Sequence, residues 1–391
     1  MTFVFENSSA VATNATPGTP LHGIRMALQP NIAVATWPAE AGTAALAGYI
    51  PTESATIADR AQAAGASIIG YTQMSELGFS LHRSAAAKAI VQNKADVELA
   101  LDLFGEPRLA AAANHLCSLK PSFGTLSRFG LTGLMATLET PAITAATPEL
   151  IATTLKAISG TDPLDPSMPA DQLPTTPPAI NELTLGVVRD SGSTLDSTTT
   201  ASFNNILSKL QQAGITVREV TIPEWQLYRN VHQIIGSVEA TSSAGRYDSV
   251  RFGKRPAGAK NWNEMYLTAR GCSFGTLLKS LLFQGASFQF KQRAAYDNAC
   301  RIRSRLVASM AQLISTVDAL LLPLPPSGTT STQPTLDEVY QGATLTLPAN
   351  LTGQPALVIP TTAPLPLQLL GTRLSDYRLL AIGEKLLTVL R

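Results

Sequence analysis

The sequence predicts an α/β fold. Short apolar runs alternate with helical patterns, glycines stop several of those patterns, and no internal repeat is visible. From Ser54 to Ala64 the spacing predicts a helix that Gly65 ends, and SIIGY then reads as a strand. LTLGVVRD (183–190) reads as another strand. It leads into a helix with Phe203, Ile206, Leu207 and Leu210 on one face, stopped by Gly214. ITVREVTI follows as a strand. A long helical pattern then runs from about Gly285 to Thr316, with Arg293, Arg301, Arg303 and Arg305 expected on a solvated face. DALLLPLP, PALVIP and LQLLG are three more candidate strands, and SDYRLLAIGEKLLTVL is a closing helix with Ser375 at its N-cap.

The chain has 391 residues, of which 45% are hydrophobic and 15% charged, so it can bury a sizeable core. The pieces read as one domain over 20–391, preceded by a short extension (1–19). A Pro-rich surface crossing at about 162–179 has no helical or strand pattern. A formal net charge of +1 without a basic run argues against direct nucleic-acid binding. Cys117, Cys272 and Cys300 are odd in number and widely spaced, which suggests a reducing compartment and no disulfide framework. With four histidines and no CxxC pair, no metal site is expected, and no cofactor motif stands out. No apolar run has the length of a membrane span and no secretory leader is visible, so the expectation is a cytoplasmic protein without membrane contact.

Several motifs then line up in order. PLHGIRMALQPNIAV (20–34), the WPAEAGTAALAGYIPTESATIADRAQAAGASIIGYTQMSELGFS stretch, LKPSFGTLSRFGLTG and ISGTDPLDPS together resemble the amidase signature family. SSAGRYDSVRFGKR and LPANLTGQPALVIP look most like that family's glutamyl-tRNA amidotransferase A-subunit branch. The resemblance implies an amidase signature fold, a large mixed β-sheet core covered by helices on both faces. It also implies a chemistry in which a serine nucleophile is activated through a second serine by a neutral lysine, with backbone amides holding the oxyanion.

Matched residue by residue, that machinery is degenerate. Gln29 falls where the relay lysine belongs, and an amide side chain cannot take the proton. GFSLHRSAAAKAI runs directly into the segment after the family's glycine-serine cluster, so a loop is expected to be deleted and Leu81 falls near the middle serine. His82 beside Ser80 and Ser84 reads as loop polarity. In Asp-Leu-Phe-Gly-Glu-Pro-Arg (102–108), Asp102, Gly105 and Arg108 are retained, Phe104 replaces an oxyanion-hole glycine, and Glu106 falls on the nucleophile. An ionised carboxylate there would oppose a forming oxyanion by about 4 kcal/mol at ~4 Å and an effective dielectric of ~20. Asp102 and Arg108 are expected to form a buried ion pair. Tyr247 matches a substrate-recognition position, whereas the clamping arginine and aspartate fall on Leu281 and Ala343.

Two readings follow. The disabled relay favours a non-catalytic scaffold, partner subunit or ligand-binding module, with a protein partner or homo-oligomer and a small amide-like molecule as its ligand. The other reading is a divergent amidase or amidohydrolase that cleaves a C–N amide bond with Glu106.

Overall fold

The computed structural model describes residues 1–7, 18–81, 84–169, 171, 173–174, 180, 182–188, 196–325, 333–362 and 365–390; His82 and part of the Pro-rich crossing lie outside them. Its strands are β1 (Phe3–Glu6), β2 (Arg25–Leu28), β3 (Ser67–Thr72), β4 (Val97–Asp102), β5 (Cys117–Lys120) and β6 (Thr140–Ala145). They continue with β7 (Thr184–Val188), β8 (Thr216–Val220), β9 (Ala319–Pro323), β10 (Ala356–Ile359) and β11 (Leu367–Leu370). All belong to one 11-stranded sheet, ordered β1-β3-β2-β4-β6-β5-β10-β11-β9-β7-β8. The sheet is mixed. β2 runs parallel to β3 and β4, and β7 parallel to β8 and β9, while the strands between β4 and β9 pair antiparallel. The extension ahead of residue 20 supplies edge strand β1, paired antiparallel with β3.

Helices α1 (Thr56–Ala63), α2 (Lys88–Val91), α3 (Glu106–Ala113), α4 (Pro148–Ile158), α5 (Ser197–Gln212) and α6 (Trp225–Ala244) come first. They are followed by α7 (Trp262–Ser273), α8 (Thr276–Phe290), α9 (Arg293–Ile314), α10 (Leu336–Gly342), α11 (Leu347–Thr352) and α12 (Asp376–Leu390). Alternation along the strands decides how they pack. In β10, Leu357 and Ile359 join one apolar core with residues of α1, α4, α5 and α12. Ala356 and Val358, pointing the other way, join a second core with α6, α8, α9 and α11. Helices therefore cover both faces, as the family resemblance implies.

The long helical pattern ending near Thr316 is two helices. Gln292, at φ −125° and ψ 44°, leaves the helical region between α8 and α9. No glycine or proline marks that break. Arg303 also differs from a solvated residue. It donates to the Leu351 carbonyl (2.9 Å), the Thr137 hydroxyl (2.6 Å) and the Thr137 carbonyl (2.7 Å). Helices α6 and α8 meet backbone to backbone at Gly285, where a Cβ would fall 1.9 Å from the Ser237 carbonyl oxygen. No described helix is long and apolar enough to cross a membrane, and no group of three or more His, Cys, Asp or Glu is placed to hold a metal among the described residues.

Candidate active site

The site is built on the turn that carries β4 into α3. β4 is buried on both faces, and its pleat sets Glu98, Ala100 and Asp102 on one side. Gly105 then takes φ +106°, and a Cβ there would overlap the Thr346 side chain at 2.3 Å, so this turn requires glycine. Glu106 opens α3 directly after it, followed by Pro107 at a position where no backbone N–H is missed.

Asp102 and Arg108 form the expected ion pair. The guanidinium Nε lies 2.7 Å from one carboxylate oxygen of Asp102 and Nη2 lies 3.0 Å from the other, and both side chains are inaccessible to solvent. Arg108 also donates to Asn350 Oδ1 (2.6 Å), Gln368 Oε1 (2.7 Å) and the Thr346 carbonyl (3.2 Å). Asn350 Nδ2 in turn donates to Asp102 Oδ1 (2.9 Å) and to the Asp102 carbonyl (3.0 Å). Burial alone would raise the Asp102 pKa, but the charge and hydrogen bonds of Arg108 hold it below the ordinary value. The result is a saturated polar clamp tying the turn to α11 and β11. Asn350 and Gln368 were not singled out in the sequence, although a glutamine inside the apolar run LQLL is a visible signal.

Glu106 has the opposite surroundings. It is buried, and neither carboxyl oxygen has a hydrogen-bond partner. Burial pushes its pKa up to about 8; Ser84 and, more weakly, Gln29 act against that, while the charges of Glu98 and Asp102 add to it. Gln29 is also buried. Its Oε1 accepts from the Leu101 N–H (3.3 Å), and its Nε2 has no partner. The Leu101 bond turns the amide so that its N–H group is the free end. Glu98, beneath them, accepts from the Thr72 hydroxyl (2.7 Å) and the Ala87 N–H (2.5 Å), and burial raises its pKa to about 7. The alternation in VELALD could have located it.

The other predicted residues have separate places. Phe104 is buried edge-on against Phe79, with ring centroids 5.8 Å apart, and fills the space above the turn. Leu81 lies against Gly342 at the end of α10. Tyr247 is in another cluster, edge-on to Phe252 and Phe274, its hydroxyl without a partner and its pKa pushed up to about 12 by burial. Leu281 and Ala343 are buried in the second apolar core. Lys120 does not rebuild a lysine–serine relay. Its amine donates to the Pro121 carbonyl (2.8 Å), while the hydroxyls of Ser118 and Ser122 engage Thr144 and Asp376. His232 of α6 was also unforeseen. Its Nε2 lies 3.2 Å from the Leu103 carbonyl, and burial lowers its pKa to about 4, so the ring is neutral.

A groove of about 1280 Å³ lies near the site, although neither Gln29 nor Glu106 lines it. Pro30 and Ser80, chain neighbours of Gln29 and Leu81, line it together with Ser75, Phe79, Leu278 and Leu336. Its acidic lining residues are Glu40, Glu76 and Asp337, and among the described residues no lysine or arginine lines it.

Comparison with known proteins places this geometry in context. The Amidase family profile matches residues 5–100 and 84–380. The glutamyl-tRNA(Gln) amidotransferase A subunit of Sulfurisphaera tokodaii is 30% identical over 410 residues, covering 96% of this chain and 86% of that protein. Its chloroplastic/mitochondrial counterpart from Oryza sativa subsp. indica is 27% identical over 414 residues, covering 93% and 76%. That alignment is longer than the 391 residues of this chain, so the relative carries residues this chain lacks. The crystal structure of the Thermotoga maritima A subunit superposes with a TM-score of 0.78 at 20% identity, over 97% of this chain and 85% of that one. A further crystal structure named amidase gives 0.77 at 22% identity, over 95% and 86%.

These names correct the expectation of a non-catalytic scaffold, because relatives matched over more than nine-tenths of the chain are called amidotransferase subunits and the matching family is named Amidase, which points to an enzyme. The physical premise of that expectation also changes. One of its supports was repulsion of the oxyanion by an ionised Glu106, and a carboxyl with its pKa near 8 is mainly neutral at pH 7. By its sequence profile and its fold, the chain belongs to the amidase signature family.

Proposed function

We propose that this protein is an amidase that hydrolyses the C–N bond of a small amide with a rearranged site, in which Glu106 transfers the proton and Gln29 receives the developing oxyanion. One observation carries the reading: a buried carboxyl lies beside a buried amide N–H, close enough for Gln29 and Ser84 to lower its pKa weakly, yet neither the carboxyl nor the amide N–H makes a full hydrogen bond. Unpartnered buried polar groups cost about 1–3 kcal/mol each, so a site that retains two of them is poised for something that binds there. The ionised fraction of Glu106 takes a proton from water as the water oxygen adds to the carbonyl carbon. Negative charge gathers on the carbonyl oxygen and meets the Gln29 N–H. Glu106 then returns the proton to nitrogen as the C–N bond breaks, giving a carboxylic acid and an amine. The groove at Pro30 and Ser80 is the approach. Burial of Leu281 and Ala343 favours a substrate without a zwitterionic amino-acid head, since neither supplies a charge to anchor one.

The test is a panel of neutral amides, ureas and glutamine given to the purified protein. Hydrolysis of a neutral amide, rising with pH towards 8, is expected. Glu106→Gln should lower kcat by ~100-fold or more. A serine-directed fluorophosphonate is expected to leave the protein unlabelled. Specific labelling of one serine would move the chemistry to another residue, and the absence of turnover on every compound would overturn the proposal.

A further inference from the structure

Glu106 is not the only carboxyl buried here without a cation. Glu98, 1% exposed, leaves β4 on the same side as Asp102. It reaches the end of β2: the Thr72 hydroxyl lies 2.7 Å from Glu98 Oε1 and 3.3 Å from the Leu28 carbonyl, directly before Gln29. Oε2 accepts the Ala87 N–H at 2.5 Å. Among the described residues no cation pairs with Glu98 or with Glu106. The two carboxyls differ in what they accept. Glu98 takes a hydroxyl at one oxygen and a backbone N–H at the other, whereas Glu106 makes no full hydrogen bond. Donors favour the charged form of a carboxyl, and two like charges in one dry site oppose each other, so the first negative charge settles on Glu98. Burial raises both pKa values, Glu98 to about 7 and Glu106 to about 8, and the Glu98 charge adds to the rise at Glu106.

Ala87, on the other side of that bond, is strained. At φ +68° it occupies the left-handed region, which costs an L-residue about 1–2 kcal/mol, and it does so as the N-cap of α2. The bond to Glu98 holds this conformation. Three residues earlier, Ser84 lies close enough to Glu106 to lower its pKa. Ser84 Oγ accepts the Ala86 N–H (3.0 Å), and the Ala85 N–H donates to the Gln73 carbonyl (2.8 Å). Residues 84–87 are thus tied to the chain after β3 at Gln73 and to β4 at Glu98.

We infer that Glu98 is a positioning residue for Glu106. It is the ionised member of a buried pair that carries one negative charge, and its bond to Ala87 keeps Ser84 beside the protonated member. The groups that face the pair are Thr72 from β3, the Ala87 N–H and Ser84 from the segment before α2, Gln29 from the end of β2, and Asp102, whose charge Arg108 balances. Glu98 acts through Glu106 and touches no reacting atom. The inference deepens the proposed function, on which its bearing on turnover rests.

The test uses the full chain carrying carbon-13 at its glutamate carboxyls, with the two resonances assigned by their loss in Glu98→Gln and Glu106→Gln. Glutamine at 98 removes the charge, yet its oxygen can accept from Ala87 while its NH2 donates to the Thr72 oxygen. In that variant the Glu106 titration should move down by about one pH unit or more, because the like charge is gone. Where an amide is hydrolysed, the rising limb of the pH profile should move down with it, with KM kept within ~twofold. Glu98→Ala also removes the acceptor. Hydrogen exchange at the Ala87 amide should quicken at least ~tenfold in Glu98→Ala and stay near wild type in Glu98→Gln. Thermal unfolding is the control for folding, and if Glu98→Ala fails it, the titration in Glu98→Gln decides alone. A Glu106 titration unmoved by Glu98→Gln overturns the inference, and so does equal Ala87 exchange in the two folded variants. Neither readout needs turnover, so a chain that hydrolyses no amide would remove the catalytic reading without deciding this one.

Discussion

Three residues separate Asp102 from Glu106, and the two carboxyls meet opposite fates. Asp102 faces a guanidinium and an amide, keeps its charge in a dry interior, and uses its hydrogen-bonding capacity. Glu106, equally dry, faces no cation among the described residues and holds its proton to about pH 8. The first arrangement fixes geometry: it pins the end of β4 to α11 and β11. The second leaves a titratable group unsatisfied in the midst of that rigid frame. Adjacent positions on one turn thus divide the labour between holding the site and changing its protonation, and the clamp allows the neighbouring group to remain unpaired.

The comparison is broken most severely by Arg108→Met. Removing one partner strands Asp102 in the interior, and the expected loss is about 3–5 kcal/mol, read as a lower urea midpoint. The pH dependence of stability gives a smaller effect with a definite sign. Glu106 binds its proton more tightly folded than unfolded, so its contribution is full below the ordinary carboxylate range and is lost as pH rises through about 8. Between pH 6 and pH 9 the wild-type chain should lose on the order of 2–3 kcal/mol from this group, a loss that Glu106→Gln should remove. Unfolding midpoints that run parallel for the two proteins would show that Glu106 has an ordinary pKa. Phe104→Leu comes last, at about 1 kcal/mol, because a smaller apolar side chain still covers the turn. If that variant also alters the pH profile of hydrolysis, Phe104 helps to keep Glu106 dry.

Much of the fold could be read from the chain. β9, β10 and β11 are short apolar runs bounded by prolines or glycine, and α5 carries its buried face at regular spacing and stops at Gly214. The division between α8 and α9 could not, because Gln292 leaves the helical path without any residue that forbids a helix there. Within the site, the positions of Gln29, Leu81 and Glu106 were visible as departures from a motif. The protonation of Glu106 was not, since it depends on burial by segments remote in sequence. Nor was the clamp, whose outer members Thr346, Asn350 and Gln368 lie more than two hundred residues from Arg108.

The contact at Gly285 has a mechanical consequence. With main chain resting on main chain, α6 and α8 have no compliant layer of side chains between them there and move together. α6 carries His232, whose ring abuts the Leu103 carbonyl at the head of the turn between β4 and α3. A shift of α8 at Gly285 would therefore have to carry α6, and with it the His232 contact to the Leu103 carbonyl, along. The His232 ring resonance is the gauge on which that displacement would register.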